Sequence, residues 1–333
     1  MRRGDAAARR GEKFGEMRAA RVTYLCSACL LYRDRTESRF VWGKFHLLSL
    51  SRCLAPGIGV TYPRIFFSRT SGGHVRILLI CPIPLEYTSC RSALSLRDGA
   101  PLLGCRTARG SAAKAEILAV ETGPAKARAA ATTAAAAAEF QPDLVLDSGT
   151  CGALDGDMIV HGVVLATSCL EFDISGNGLP HRVIPEMRLP SALELIPRRE
   201  SQKLMRALTE LGKDGGLHVR SGIQASGELF IQSLQVRESL FAVTGALACN
   251  WETAGVFIAA LRSRLPPLSV RIVSDLGDED ALRDFRRNAR RASHLLYQFL
   301  AQALEAGWFA SFQEHWRGVS HAHVERLPQR VLP

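Results

Sequence analysis

The sequence predicts an α/β fold, a single three-layer α/β/α domain over residues 75–305. Three observations carry this. Apolar runs of strand length recur along this stretch, among them 75–81 (VRILLIC), 115–120 and 144–146, and such short runs bounded by Gly, Pro and Asp read as strands buried on both faces. Helix-forming stretches separate the runs, and strands alternating with helices over such a length indicate one layered domain. Polar residues sit directly after the apolar runs, where open α/β sheets place their ligands.

Residues 75–81 are the first strand, and Pro82, Pro84 and Glu86 leave its carboxyl end. Residues 115–120 form another strand, with a turn at Thr122-Gly123-Pro124. The run 126–140 has nine alanines among 127–138. Alanine is the strongest helix former and allows close approach to a sheet, so the run is a helix packed on the strand that starts at Pro142. That strand, 144–146, is expected to end in Asp147-Ser148-Gly149-Thr150-Cys151-Gly152, where two glycines permit a sharp turn with exposed N–H groups. A further strand covers 162–167, and 171–199 is loop-like, with Gly176, Gly178 and several prolines. Residues 200–211 are helical and 217–224 extended; Ser226 to Ile231 leaves that strand. After the apolar run 241–249 come Asn250-Trp251-Glu252 and a helix to Arg264. Residues 269–273 are the last strand, ending in Ser274-Asp275, and 281–304 is a long amphipathic helix. No period is legible from Gly307, and 306–333 is a tail.

The 333 residues are 47% apolar and 22% charged, ordinary for a globular chain. No apolar run approaches the ~20 residues of a membrane helix. Nine cysteines have no repeated spacing, which fits buried, reduced thiols in a cytoplasmic protein. Cys26-x-x-Cys29 has no second pair at zinc spacing, and His321-Ala-His323 belongs to the tail, so neither a metal nor a cofactor site is expected. The net charge of +10 is concentrated: residues 1–74 carry 14 Lys and Arg against 5 acids, leaving +1 for the rest. A nucleic-acid partner would rest on that segment alone. The segment lacks a sustained apolar face, and Asp5, Glu12 and Glu16 are foreign to a transit peptide. It is expected to be an extension without a fold, translated upstream of a natural start near Val75.

Glu86, Thr150, Phe230, Glu252 and Asp275 each follow a predicted strand, and five such exits on one rim of the sheet would bring three carboxylates and a ring together. Taken singly, each carboxylate also reads as a helix N-cap or first-turn acid, and Phe230 and Trp251 as core.

Together and in this order, the residues resemble a known family. ICPIPLEY, ETGPAKARAA, QPDLVLDSGTCGAL, GIQASGELFI, CNWETAG and VRIVSDLGDE are similar, block by block, to the 5′-methylthioadenosine/S-adenosylhomocysteine nucleosidases within the nucleoside phosphorylase family. The resemblance covers nearly all of 75–304. It implies a central mixed, partly barrel-like sheet, a homodimer, and hydrolysis of the N-glycosidic bond of a 5′-substituted adenosine. It also implies roles. Asp275 would protonate purine N7, held by Ser274, and Glu86 would activate the attacking water. Glu252 would hold the ribose hydroxyls, and Phe230 would stack on the purine while the backbone of Ile231 meets its edge. Thr150 would lie near the water, with Gly152 and Trp251 completing the substrate surface. Acid and base assistance of this sort is each worth about 10²–10⁴ in rate.

Several positions depart from the family pattern. Asn250 stands where a glutamate is usual, Trp251 replaces methionine, and Thr150-Cys151 replaces Ser-Ala. The segment 171–199 bears little resemblance to the family, which leaves the 5′ group open among methylthioadenosine, adenosylhomocysteine, 5′-deoxyadenosine and a larger conjugate such as adenosylhopane. Phosphorolysis needs arginines at the strand exits to bind a dianion; Arg91 and Arg106 are near in sequence, and phosphorolytic purine nucleoside cleavage is the runner-up reading. A nucleoside-binding module without catalysis is a second alternative, although binding alone has no need of an acid and a water activator.

Overall fold

The computed structural model describes residues 74–174 and 187–317. The basic segment 1–73 with Cys26 and Cys29, residues 175–186 with Gly176 and Gly178, and residues 318–333 with His321 and His323 lie outside the described residues. In chain order the elements are β1 (Val75–Cys81), α1 (Pro84–Ala93), β2 (Arg97–Asp98), β3 (Thr107–Ala112), β4 (Ala115–Glu121), α2 (Lys126–Phe140) and β5 (Leu144–Ala153). They continue with β6 (Val163–Glu171), β7 (Arg188–Pro190), α3 (Ala192–Leu195), α4 (Arg198–Asp214), β8 (Val219–Ser226) and α5 (Leu234–Thr244). The last are β9 (Ala248–Asn250), α6 (Thr253–Arg262), β10 (Pro267–Asp275), α7 (Ala281–Glu305) and α8 (Trp308–Arg317).

The strands form one mixed sheet that closes on itself. β5 pairs with β9, β9 with β8, β8 with β6 and β6 with β10, and β10 returns to pair with β5. This five-strand barrel carries a wing, β1-β4-β3-β2, on the first half of β5, along the edge that β9 takes at Gly152 and Ala153. Side chains alternate across a strand, and β1 shows the consequence. Ile77 and Leu79 join a core with Leu296, Leu300, Phe309 and Phe312 from α7 and α8. Leu78 and Ile80 join a second core with Ala129, Ala136 and Phe140 of α2 and Val256 and Ala260 of α6. A sheet covered on both faces has few polar positions, which is why β1 reads as an unbroken apolar run.

Three expectations are corrected. β5 does not turn at its glycines; it runs extended through Gly149 and Gly152 to Ala153. The five exits do not share one rim, because β6 runs antiparallel to β10 and β9 antiparallel to β5. They meet instead along the second half of β5. Finally, the stretch after Gly307 continues as α8, whose Trp308, Phe309 and Phe312 are buried. The Trp308 indole N–H donates to the Leu204 carbonyl at 2.9 Å, fastening α8 to α4.

Candidate active site

A cavity of about 410 Å³ opens over the second half of β5. Every residue singled out from the sequence lines it: Glu86, Thr150, Gly152, Phe230, Ile231, Trp251, Glu252, Ser274 and Asp275. Each arrives by its own local logic.

Glu86 lies in the first turn of α1, which starts at Pro84 because proline's fixed φ and missing N–H suit that position. Its Oε2 accepts the Ile83 N–H at 3.1 Å, so it does cap its helix. Its Oε1 reaches across to accept the Thr150 N–H at 2.7 Å and the Thr150 hydroxyl at 2.9 Å. The structural and the site reading of this residue therefore hold together. Burial raises its carboxyl to about 7; Arg271 and the Thr150 N–H pull it down, and Glu252 pushes it up.

Asp275 ends β10, with Oδ2 accepting from the Ser274 hydroxyl at 2.9 Å and Oδ1 from the Gly277 N–H at 3.3 Å. Burial raises it to about 6, against the lowering effect of those two hydrogen bonds. The glycines of β5 exist for these two side chains. A Cβ on Gly149 would lie 2.7–2.9 Å from the carboxyl atoms of Glu86, and one on Gly152 would lie 2.9 Å from Asp275 Oδ1. Gly149 also has φ +146°, a region that side chains rarely adopt. Three residues along a strand span roughly 10 Å, so the two carboxylates stand at neighbouring stations of one strand.

Glu252 precedes α6 and is buried beside them. Its Oε1 accepts the Ala125 N–H at 3.2 Å, and its Oε2 accepts from Arg271 Nη1 at 3.2 Å. Burial raises its pKa, opposed by Arg271. Asn250 also lines the cavity, but its side chain is spent on the backbone of the next turn. Its Oδ1 accepts the N–H groups of Glu252 and Thr253, both at 2.8 Å, and its Nδ2 donates to Thr253 Oγ1 at 2.8 Å, fixing the turn into α6. Phe230 and Trp251 meet edge to face with centroids 6.4 Å apart, and the Trp251 indole donates to the Leu229 carbonyl at 3.3 Å.

The sequence reading missed the group beneath the site. Arg271 is 1% exposed and donates from Nε and Nη2 to the two oxygens of Asp147, at 3.0 and 2.5 Å, and from Nη1 to the Thr150 carbonyl at 3.1 Å. Thr253 and Ser269 hydroxyls complete the shell of Asp147, each at 2.7 Å. Burial works against the guanidinium charge, but Asp147 and Glu252 outweigh it and keep it protonated. The available signal was an arginine inside an apolar strand, VRIV, since a buried charge requires a partner. The cavity walls Ile83, Pro124, Leu229, Leu282 and Phe285 were also missed; their types carry no signal apart from core packing. Arg91 and Arg106 are engaged elsewhere, with Asp98 and Glu121.

A barrel-centred α/β fold gathers three acids and aromatic walls around one cavity of small-molecule size. The Phosphorylase superfamily profile matches residues 76–305, and the chain belongs to that family. Among curated proteins it is similar to a Staphylococcus aureus 5′-methylthioadenosine/S-adenosylhomocysteine nucleosidase, 26% identical over 181 residues, which are 54% of this chain and 76% of that protein. Among solved structures it is similar to the Helicobacter pylori 5′-methylthioadenosine/S-adenosylhomocysteine nucleosidase with butyl-thio-DADMe-Immucillin-A. That match has a TM-score of 0.62 at 22% identity over 70% of this chain and 99% of that one. A futalosine hydrolase from the same organism matches with a TM-score of 0.60 at 22% identity, over 69% and 97%. These likenesses establish the fold.

Proposed function

We propose that this protein hydrolyses the N-glycosidic bond of a 5′-substituted adenosine, releasing adenine. The observation that carries the reading is the pairing of Glu86 and Asp275 on one wall of one cavity, each against a glycine of β5 and each with a raised pKa. A glycosidic bond to adenine breaks when the base gains a proton as it leaves and water adds to the anomeric carbon. Asp275, raised to about 6, is a carboxyl that still carries a proton in a minority of molecules near neutrality, where an ordinary aspartate carries almost none. Its partner Ser274 fixes the direction of that proton toward purine N7. Glu86, raised to about 7, is basic enough to take a proton from water. Glu252 sits on the Arg271 guanidinium, whose bidentate grip on Asp147 anchors it, and its carboxylate receives the ribose hydroxyls. Phe230 and Trp251 supply the flat walls for the base and sugar.

Water, not phosphate, is the nucleophile in this reading. Arg271 is the one cation among the described lining residues, and its donors are taken by Asp147, the Thr150 carbonyl and Glu252. A phosphate dianion would meet Glu86 with no free guanidinium to offset the repulsion. The 5′ group is a methylthio group, a homocysteine or a related substituent. The family resemblance places such cleavage in methionine salvage and purine catabolism, by a cytoplasmic homodimer.

Incubation with methylthioadenosine in phosphate-free buffer tests this. Adenine and a free reducing sugar are expected in equal amounts. A requirement for phosphate, with a sugar phosphate as product, would transfer the protein to the phosphorolytic class; absence of adenine across a panel of 5′-substituted adenosines would leave a binding module.

A further inference from the structure

The first half of α7 carries Arg283, Arg286, Arg287, Arg290 and Arg291, followed by His294. All six are exposed, while Ala289, Ala292, Leu296 and Leu300 on the other side are buried. At 3.6 residues per turn the six form one stripe. Arg283 pairs with Asp280 and Asp284. Arg286, Arg287 and Arg290 meet no acidic side chain among the described residues. Residues 75–333 together carry only +1, so the stripe is a local segregation of charge. Like charges four residues apart weaken a helix, and nothing in the packing of α7 requires arginine there.

The stripe borders exposed aliphatic side chains. Leu282, one turn before Arg286, is 43% exposed, and Leu229 is 41% exposed; both line the cavity. Leu234, 40% exposed, adjoins them, because its N–H donates to Glu279 in the turn that leads into α7. A basic stripe beside exposed leucines is the pattern of a surface that rests on anionic lipid headgroups and dips apolar side chains below them. We propose that the arginine stripe of α7 docks the protein on an anionic phospholipid surface, with Leu229, Leu234 and Leu282 turned to the lipid. No described helix is long and apolar enough to cross a membrane, so the contact is peripheral. A second copy related by a twofold through the stripe is a poor occupant, since it would set arginine against arginine; the homodimer of the proposed function would use another face. Single-stranded nucleic acid favours exposed aromatic platforms; the exposed apolar residues here are aliphatic.

Co-sedimentation of the full chain with phosphatidylcholine vesicles, with and without about 30 mol % phosphatidylglycerol, tests the proposal. Binding is expected to the anionic vesicles only and to disappear in about 0.5 M NaCl. The triple variant Arg286→Glu, Arg287→Glu, Arg290→Glu should lower the partition coefficient at least ~100-fold, at about fivefold per arginine, with an unchanged melting temperature. The proposal is overturned if the wild type ignores anionic vesicles, or if the triple variant binds them as well as the wild type does, which would assign binding to another basic part of the chain. It is overturned too if an oligonucleotide displaces the protein from vesicles at stoichiometric concentration.

Discussion

Gly152→Ala isolates the position of the acid from the stability of the fold. Gly152 has φ outside the left-handed region, so alanine fits the backbone, and the whole effect falls on its neighbour. The new Cβ would lie 2.9 Å from Asp275 Oδ1, 3.6 Å from Cγ and 3.7 Å from Oδ2. Ordinary contact needs about 3.4 Å, so the oxygen retreats by about half an ångström. Asp275 gives way against two hydrogen bonds, from Ser274 at 2.9 Å and Gly277 at 3.3 Å. A misplacement of 1 Å in a reacting group costs ~10² in rate, so kcat/KM for adenine release should fall by about 10–100-fold. Overpacking of one methyl costs about 1–3 kcal/mol, a melting-temperature change of several degrees at most for a domain of this size. Adenine release followed by chromatography, beside a thermal melt, reads both. Wild-type kcat/KM in a folded Gly152→Ala protein would refute the placement of Asp275 at the reacting base.

Three further predictions follow from the same geometry. The productive form has Asp275 protonated and Glu86 ionised; with pKa values of about 6 and about 7 it peaks near pH 6.5 as a minority of ~6%. The pH profile of kcat/KM should therefore be a bell centred near 6.5, and a profile flat from pH 5 to about 8 would contradict it. Arg271→Met leaves Asp147 buried without its partner and should destabilise by about 3–5 kcal/mol; a melt within a few degrees of wild type would show that the pair is dispensable. Ala125 holds φ 87°, ψ 149°, a region nearly confined to glycine, while its N–H donates to Glu252. Ala125→Gly should stabilise by about 1–3 kcal/mol, and a lowered melting temperature would mean that the turn is unstrained.

The legible parts of the fold were those written in contiguous residues. β1 and α2 were read at their observed bounds, 75–81 and 126–140, because a strand covered on both faces and an alanine-rich helix each leave an unmistakable local pattern. The acids after β1, β9 and β10 were found for the same reason: a carboxylate next to a buried run stands out. What stayed hidden depends on distant partners. The glycines of β5 look like a turn until Glu86 and Asp275 are seen to fill the space where their side chains would be. Barrel closure rests on β10 pairing with β5 across more than a hundred residues, and no local period encodes that. Strand direction was likewise invisible, so the shared rim was the natural but mistaken inference. Arg271 was read only as part of the last strand and given no role, although its apolar neighbours mark it as buried. α8 was missed because its aromatic face reads as a helix only once α4 and α7 supply the surface it covers.

The most direct test of the account is the rate of Glu86→Gln, Asp275→Asn and the double variant on methylthioadenosine, each checked by thermal melt. If one carboxyl donates to the leaving base while the other prepares water in the same step, each single variant loses about 10²–10⁴ in kcat/KM. The double variant then loses little more than the worse single one, since residues acting as a unit are not additive. Wild-type turnover in either folded single variant, or losses that multiply in the double, would contradict it.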